Sequence, residues 1–134
     1  MVEEIVHRSP WISAWSDPVA GVNSLTQLMA FADLKDDGDF KLLTCDFKAN
    51  CLKVYMGTSV LLNAHLSKGK PSALVVYYEN NKKPMIPVIA VAVENTIFYY
   101  KDFNPYQKFD LPNVTFSDVE NKIWKQLSTE DDEQ

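Results

Sequence analysis

The sequence predicts a mainly β chain: about two four-stranded antiparallel blades of a β-propeller, followed by one C-terminal amphipathic helix. Three observations predict it. First, strand-forming runs recur. Leu52-Lys53-Val54-Tyr55 answers Ile97-Phe98-Tyr99-Tyr100 at an offset of 45 residues, and Leu42-Leu43-Thr44-Cys45 answers Val88-Ile89-Ala90-Val91 at an offset of about 46. A repeat of roughly 40–45 residues holding four strands is the pattern of propeller blades. Second, the runs are split by turn signals such as Asp36-Asp37-Gly38-Asp39, where Gly accepts positive φ and Asp bonds its own backbone. Third, Ser117-Asp118-Val119-Glu120 is a capping box that opens a helical pattern.

In chain order, residues 1–24 form an N-terminal segment. Residues 3–8 suit a short strand. Residues 9–24 hold two Pro and one Gly and read as an irregular loop around Trp11 and Trp15. Those two indoles either cover the edge of the β unit or meet a partner, because Trp is enriched in binding hot spots. Residues 25–66 make the first blade. Its strands are expected at Leu25–Leu34, Phe40–Cys45, Leu52–Met56 and Val60–Asn63, with Lys48-Ala49-Asn50 as its second turn. Residues 67–112 make the second blade. Its strands are expected at Ser72–Glu79, Pro87–Val93, Thr96–Lys101 and Tyr106–Leu111, with Glu94-Asn95 as a tight hairpin. Residues 113–134 start a helical part with an acidic tail. Val119, Ile123, Trp124 and Leu127 fall on one helical face, which needs a covering surface. The uniformly apolar strands fit blades that bury both faces. Two such units also satisfy a sandwich, which needs no further blades.

Composition narrows the function. Hydrophobic content of 46% excludes a wholly disordered chain. No apolar run reaches the ~18 residues of a membrane span, and the acidic start lacks the apolar core of a signal peptide. A cytosolic setting is the expectation, in which the sequon Asn113-Val114-Thr115 carries no sugar. Net charge is −5, and four of the acids sit at Glu130, Asp131, Asp132 and Glu133. The remaining body is nearly neutral, which argues against a nucleic-acid or anionic-membrane surface. Lys68-Gly69-Lys70 and Lys82-Lys83 are the basic clusters, and both fall in turns.

The chemistry-bearing residues are sparse. Cys45 and Cys51 have neither zinc-site nor redox-pair spacing and read as small buried hydrophobes, while His7 and His65 are isolated. Asp33, Asp36, Asp37 and Asp39 invite a calcium-loop reading. Counting from Asp33, however, the third and ninth ligand positions are Lys35 and Lys41, which repel a cation. A tight turn with solvated charges, with Lys35 or Lys41 paired to Asp33, is the preferred reading. No metal ligand set, cofactor or catalytic motif is expected: P-loop, G-x-S-x-G, H-E-x-x-H and the Gly-rich dinucleotide turn are all missing. A metal-dependent hydrolase built on Asp33–Asp39 would show a thermal shift with calcium or magnesium.

An ordered series of residues carries a family resemblance. It runs Trp11, Asp17-Pro18, Ala32-Asp33-Leu34, Asp37-Gly38, Lys41-Leu42, Asp46 and Leu52-Lys53-Val54. It continues with Ile89-Ala90-Val91-Ala92, Tyr99-Tyr100-Lys101, Pro105-Tyr106-x-Lys108-Phe109-x-Leu111-Pro112 and Glu120-x-x-x-Trp124-x-Gln126. Over roughly residues 11–127 the chain resembles the N-terminal part of the Bardet–Biedl syndrome protein 1 family, a subunit of the BBSome. The resemblance implies a non-catalytic scaffold segment within a seven-bladed propeller, with the helix from Ser117 opening the family's helical insertion. It implies other BBSome subunits and a GTP-bound Arf-like GTPase as partners, and no cofactor. It also implies a cytoplasmic place at the ciliary base and, peripherally, at the ciliary membrane, in the traffic of membrane proteins to cilia. The family's remaining blades and C-terminal parts lie beyond these 134 residues, and two blades cannot close a ring. The partner-binding residues expected here are Trp11, Trp15 and Asp17. The rival reading is a generic β-propeller or FG-GAP-like interaction module with an unrelated partner, separable by whether other BBSome subunits co-purify.

Overall fold

The computed structural model describes residues 9–67 and 69–130. The strand expected at residues 3–8 lies outside them. Eight strands follow in two meanders. The first sheet has the order β1 (Met29–Asp33), β2 (Phe40–Asp46), β3 (Cys51–Met56) and β4 (Ser59–His65). The second has β5 (Pro71–Tyr77), β6 (Val88–Val93), β7 (Thr96–Lys101) and β8 (Asn104–Asp110). All neighbouring pairs are antiparallel. Helix α1 (Asp118–Glu130) closes the described chain. This is the mainly β architecture with one C-terminal helix that the sequence predicts.

Several boundaries differ: the strand expected at Ser72–Glu79 runs Pro71–Tyr77, and others shift by a residue. The first strand is shorter than Leu25–Leu34, because Thr26–Leu28 turns as a 3-10 helix in which the Leu28 N–H donates to the Leu25 carbonyl at 2.9 Å. That turn drives Leu28 into the core, fully buried. The fourth strand of the first sheet outruns Val60–Asn63 at both ends. The last strand starts at Asn104, ahead of Tyr106, because Asp102 and Phe103 turn with positive φ and return the chain to pairing at once.

The repeat also needs a correction. Leu52 pairs with Cys45 in the first sheet, and Ile97 pairs with Ala92 in the second. The outer member of each pair repeats at 97 − 52 = 45 positions, but the inner member repeats at 92 − 45 = 47 rather than 46. The β2–β3 turn is two residues longer than the β6–β7 turn. A one-residue difference in register is a change of face. Leu43 and Cys45 lie in the core between the sheets, whereas their equivalents in the second sheet, Ala90 and Ala92, do not.

The core lies between the two sheets. Leu43, Cys45, Leu52 and Val54 of the first meet Leu74, Ile89, Val91, Val93 and Tyr100 of the second, with Leu28, Leu34 and Leu66 closing the ends. The strands β1 and β5 lie side by side, with the Thr26–Leu28 turn against β5. First strands converging while later strands fan outward is the arrangement of consecutive propeller blades. The two outward faces stay open. Phe31 and Phe40 on the first sheet, and Val75 and Tyr77 on the second, are exposed. The burial of both blade faces that the apolar strands suggest is therefore realised on one face of each sheet.

Candidate partner-binding surface

The Trp-containing loop divides into parts with different roles. Asp17 is half-buried, and its Oδ1 accepts the Val19 N–H at 3.1 Å. It shapes the turn at Pro18 by bonding its own backbone two residues on. Trp15 lies over the outward face of the first sheet. With Phe31, Phe40, Leu42, Tyr55 and Gly57 it lines an open apolar hollow of about 320 Å³. The indole is still 66% exposed, and Trp11 is 86% exposed and not part of that hollow. Of the three residues expected to act together, the structure brings only Trp15 to the sheet.

A second feature was legible in part. Residues 34–39 of the β1–β2 turn reach across to the second sheet. The Asp36 carboxylate accepts the Lys83 ammonium and the Met85 N–H, both at 3.0 Å. Lys35 pairs with Asp102 and stands over the Phe103 ring, 4.9 Å from its centroid. The Met85 N–H, with Lys83 beside it, holds the Asp36 carboxyl below the usual carboxylate range. Sequence reasoning singled out the aspartates and missed these partners, because loops 47 to 67 residues away carry no periodic signal toward them.

The same turn corrects the expected pairing of Asp33. Neither the Lys35 nor the Lys41 ammonium is its partner: they go to Asp102 and Asp39. Its carboxylate accepts three backbone N–H groups, from Lys35 at 3.2 Å, Asp37 at 3.1 Å and Gly38 at 2.8 Å. Burial pushes the group upward, and these three donors outweigh that and hold it below its ordinary value. Lys41 instead bonds the Asp39 carbonyl and carboxylate. Its charge is not solvated, for the residue is 6% exposed. Among the described residues no group of three or more His, Cys, Asp or Glu is placed to hold a metal.

The cysteines are packing residues. Burial pushes the Cys45 thiol up to about 12 and raises that of Cys51 as well, so neither is a nucleophile at neutral pH. Behind Cys45, Asp46 accepts the Lys48 and Ala49 N–H groups, each at 2.9 Å, and fixes the β2–β3 turn. On the second sheet, Glu79 bonds Lys101 at 2.7 Å and the Tyr106 hydroxyl at 3.2 Å, which ties β8 to the chain leaving β5. Nothing in these clusters joins a nucleophile to a base. What the arrangement offers is surface: two apolar sheet faces, the Trp11–Trp15 loop, and the apolar stripe of α1. That stripe, Val119, Ile123, Trp124 and Leu127, is open to solvent. No described helix is long and apolar enough to cross a membrane.

Comparison with known proteins identifies the family. A sequence model described as ciliary BBSome complex subunit 1 matches residues 11–134. The mouse protein "BBSome complex member BBS1" is 30% identical over 123 residues, and its human counterpart 31% identical over 123 residues. Each match covers 89% of this chain and 21% of the relative, so the chain spans about a fifth of those relatives' length. Two crystal structures of BBS1N in complex with ARL6DN are also similar. The lead-soaked form gives a TM-score of 0.73 and the mercury-soaked form 0.71. Both are 34% identical and cover 84% of this chain and 34% of the solved chain. The repeat, the paired sheets and the ordered motif series thus have one explanation: the chain belongs to the ciliary BBSome complex subunit 1 family.

Proposed function

We propose that this chain is a non-catalytic scaffold segment of a BBSome-type adaptor complex. Its two sheets act as consecutive blades of a larger propeller that takes an Arf-like GTPase in its GTP-bound form. The observation that carries the reading is its likeness, at 34% identity over 84% of its length, to the BBS1N chain of a BBS1N–ARL6DN complex. The adaptor's work would be moving membrane proteins to and from cilia, with other BBSome subunits as neighbours. Its place would be cytoplasmic, at the ciliary base and peripherally at the ciliary membrane. Membrane association would be indirect, through the complex. The open sheet faces support the reading, because they ask for protein cover.

Within the chain, Trp11 and Trp15 are the side chains proposed to contact the partner. Asp17 would hold their loop in shape. Both indoles are largely exposed, on a loop beside a β scaffold, where binding residues are usually carried. The test is capture of the protein by GTP-loaded and GDP-loaded ARL6. Binding is expected with GTP alone, weakened tenfold or more by Trp11→Ala combined with Trp15→Ala, as for interface hot spots. If the double variant stays folded and binds as before, the loop is structural. Equal binding with GDP would remove the effector reading.

A further inference from the structure

Every residue from 111 to 129 is exposed, so α1 is open to an enzyme along its length. In its last turn stand two adjacent hydroxyls, Ser128 and Thr129, followed at once by Glu130, Asp131, Asp132 and Glu133. An acid lies three residues beyond each hydroxyl, Asp131 for Ser128 and Asp132 for Thr129, with another acid on either side of it. A hydroxyl followed by such a run suits a kinase whose substrate groove is basic, because opposite charges select the segment and fix its register. Thr115 and Ser117 also have an acid three residues on. Ser117 is already engaged: its Oγ accepts the Glu120 N–H, and the Glu120 carboxylate takes the Ser117 N–H.

We propose that Ser128 and Thr129 are phosphorylation sites for an acid-directed serine/threonine kinase, and that the phosphate unwinds the last turn of α1. In the transfer the hydroxyl oxygen bonds the γ-phosphorus of ATP, the bond from that phosphorus to its bridging oxygen breaks, ADP leaves, and the hydroxyl proton passes to the kinase's base. Unmodified, Ser128 Oγ donates to the Trp124 carbonyl at 2.9 Å, and Thr129 Oγ1 to the Gln126 carbonyl at 2.8 Å. An esterified oxygen has no proton to donate, so these bonds are lost. A charge of about −2 then stands at the negative end of the helix dipole. The last turn holds no basic residue. Lys125 is four residues before Thr129, and a cation N-terminal to its anion is the weaker order on a helix. Leu127 would leave the stripe it shares with Val119, Ile123 and Trp124. This inference concerns the helix alone and does not depend on the partner reading above.

The test incubates the 134-residue chain with magnesium, ATP and either an acid-directed or a base-directed kinase. Mass spectrometry locates the phosphate, and amide exchange follows α1. The acid-directed kinase is expected to modify Ser128 and Thr129 and the base-directed one to leave them bare. Asp131→Asn combined with Asp132→Asn, which keeps both hydroxyls, should slow the reaction about tenfold or more. Exchange at Leu127 to Thr129 should quicken about tenfold or more on phosphorylation, with the sheets unchanged. Phosphate placed mainly at Thr115 or Ser117, or a rate that the double variant leaves unchanged, overturns the site. Modification at Ser128 or Thr129 with exchange as slow as before overturns the unwinding.

Discussion

Asp33 organises the first hairpin with both carboxylate oxygens, and that has a consequence for pH. Asp33, Asp36 and Asp46 all sit below the ordinary carboxylate value when folded, each held there against burial by backbone N–H donors, with Lys83 helping at Asp36 and Lys53 at Asp46. A carboxyl depressed in the folded state stabilises the fold above its unfolded pKa. That stabilisation is lost as pH falls through the lower folded value. The urea midpoint is therefore expected to hold from about pH 7 to 5 and to fall steadily below about pH 4. Asp33→Asn should lower the midpoint at neutral pH and flatten the acid limb. An unchanged acid limb in that variant would show that Asp33 contributes nothing to it. The thiols offer a second residue-scale check. Cys45 and Cys51 are expected to resist a thiol reagent at pH 8 in the folded protein and to react fully in denaturant; fast native labelling would contradict their burial. Both roles were partly legible. A cysteine inside an apolar run reads as core, and an aspartate before Asp-Gly reads as a turn former. The identity of the donors was not legible, since which N–H groups converge on a carboxylate depends on the path of the whole turn.

Elements show what periodicity can and cannot carry. The capping box at Ser117 is formed as the sequence implies. The Ser117 N–H donates to Glu120 Oε2 at 2.9 Å, and the Glu120 N–H donates to Ser117 Oγ at 3.3 Å. Ser117→Ala is expected to cost about 0.5–2 kcal/mol of helix stability, seen as faster amide exchange at Glu120 and Asn121. Exchange that stays slow would mean the helix is held by packing instead. The strands were found by composition, but their register was not. Both sheets' central strands are apolar on both faces, so alternation cannot choose between an offset of 46 and one of 47. Only turn length does. The correct register puts Leu52 wholly inside the seam between the sheets. Leu52→Ala is expected to destabilise by about 2–5 kcal/mol, the usual cost of a core cavity, read from urea unfolding. A loss under about 1 kcal/mol would place Leu52 at a site that collapses freely.

At the scale of the molecule, the two sheets bury one face each and leave the other apolar and open. Phe31 is 70% exposed on one outward face, and Val75 and Tyr77 are exposed on the other. Contiguous open apolar sheet is an association surface. In light scattering after size exclusion, the 134-residue chain alone is expected to self-associate. Supplying the remaining propeller as a separate chain should convert it into one defined complex. A stable monomer in isolation would argue for a self-contained pair of sheets with its own role.

The sequence by itself pointed to the eight strands of the two sheets, the C-terminal helix and the family, because those rest on local patterns of residue type and on an ordered motif series. Tertiary structure alone decided which face of each strand is inside, which loops meet the 34–39 turn, and that Trp15 rather than Trp11 lies over the first sheet. The physical reason is common to all three. A strand apolar on both faces has no preferred inside until a second sheet covers one of them, and a charged loop has no partner until packing brings a distant one within a few ångströms.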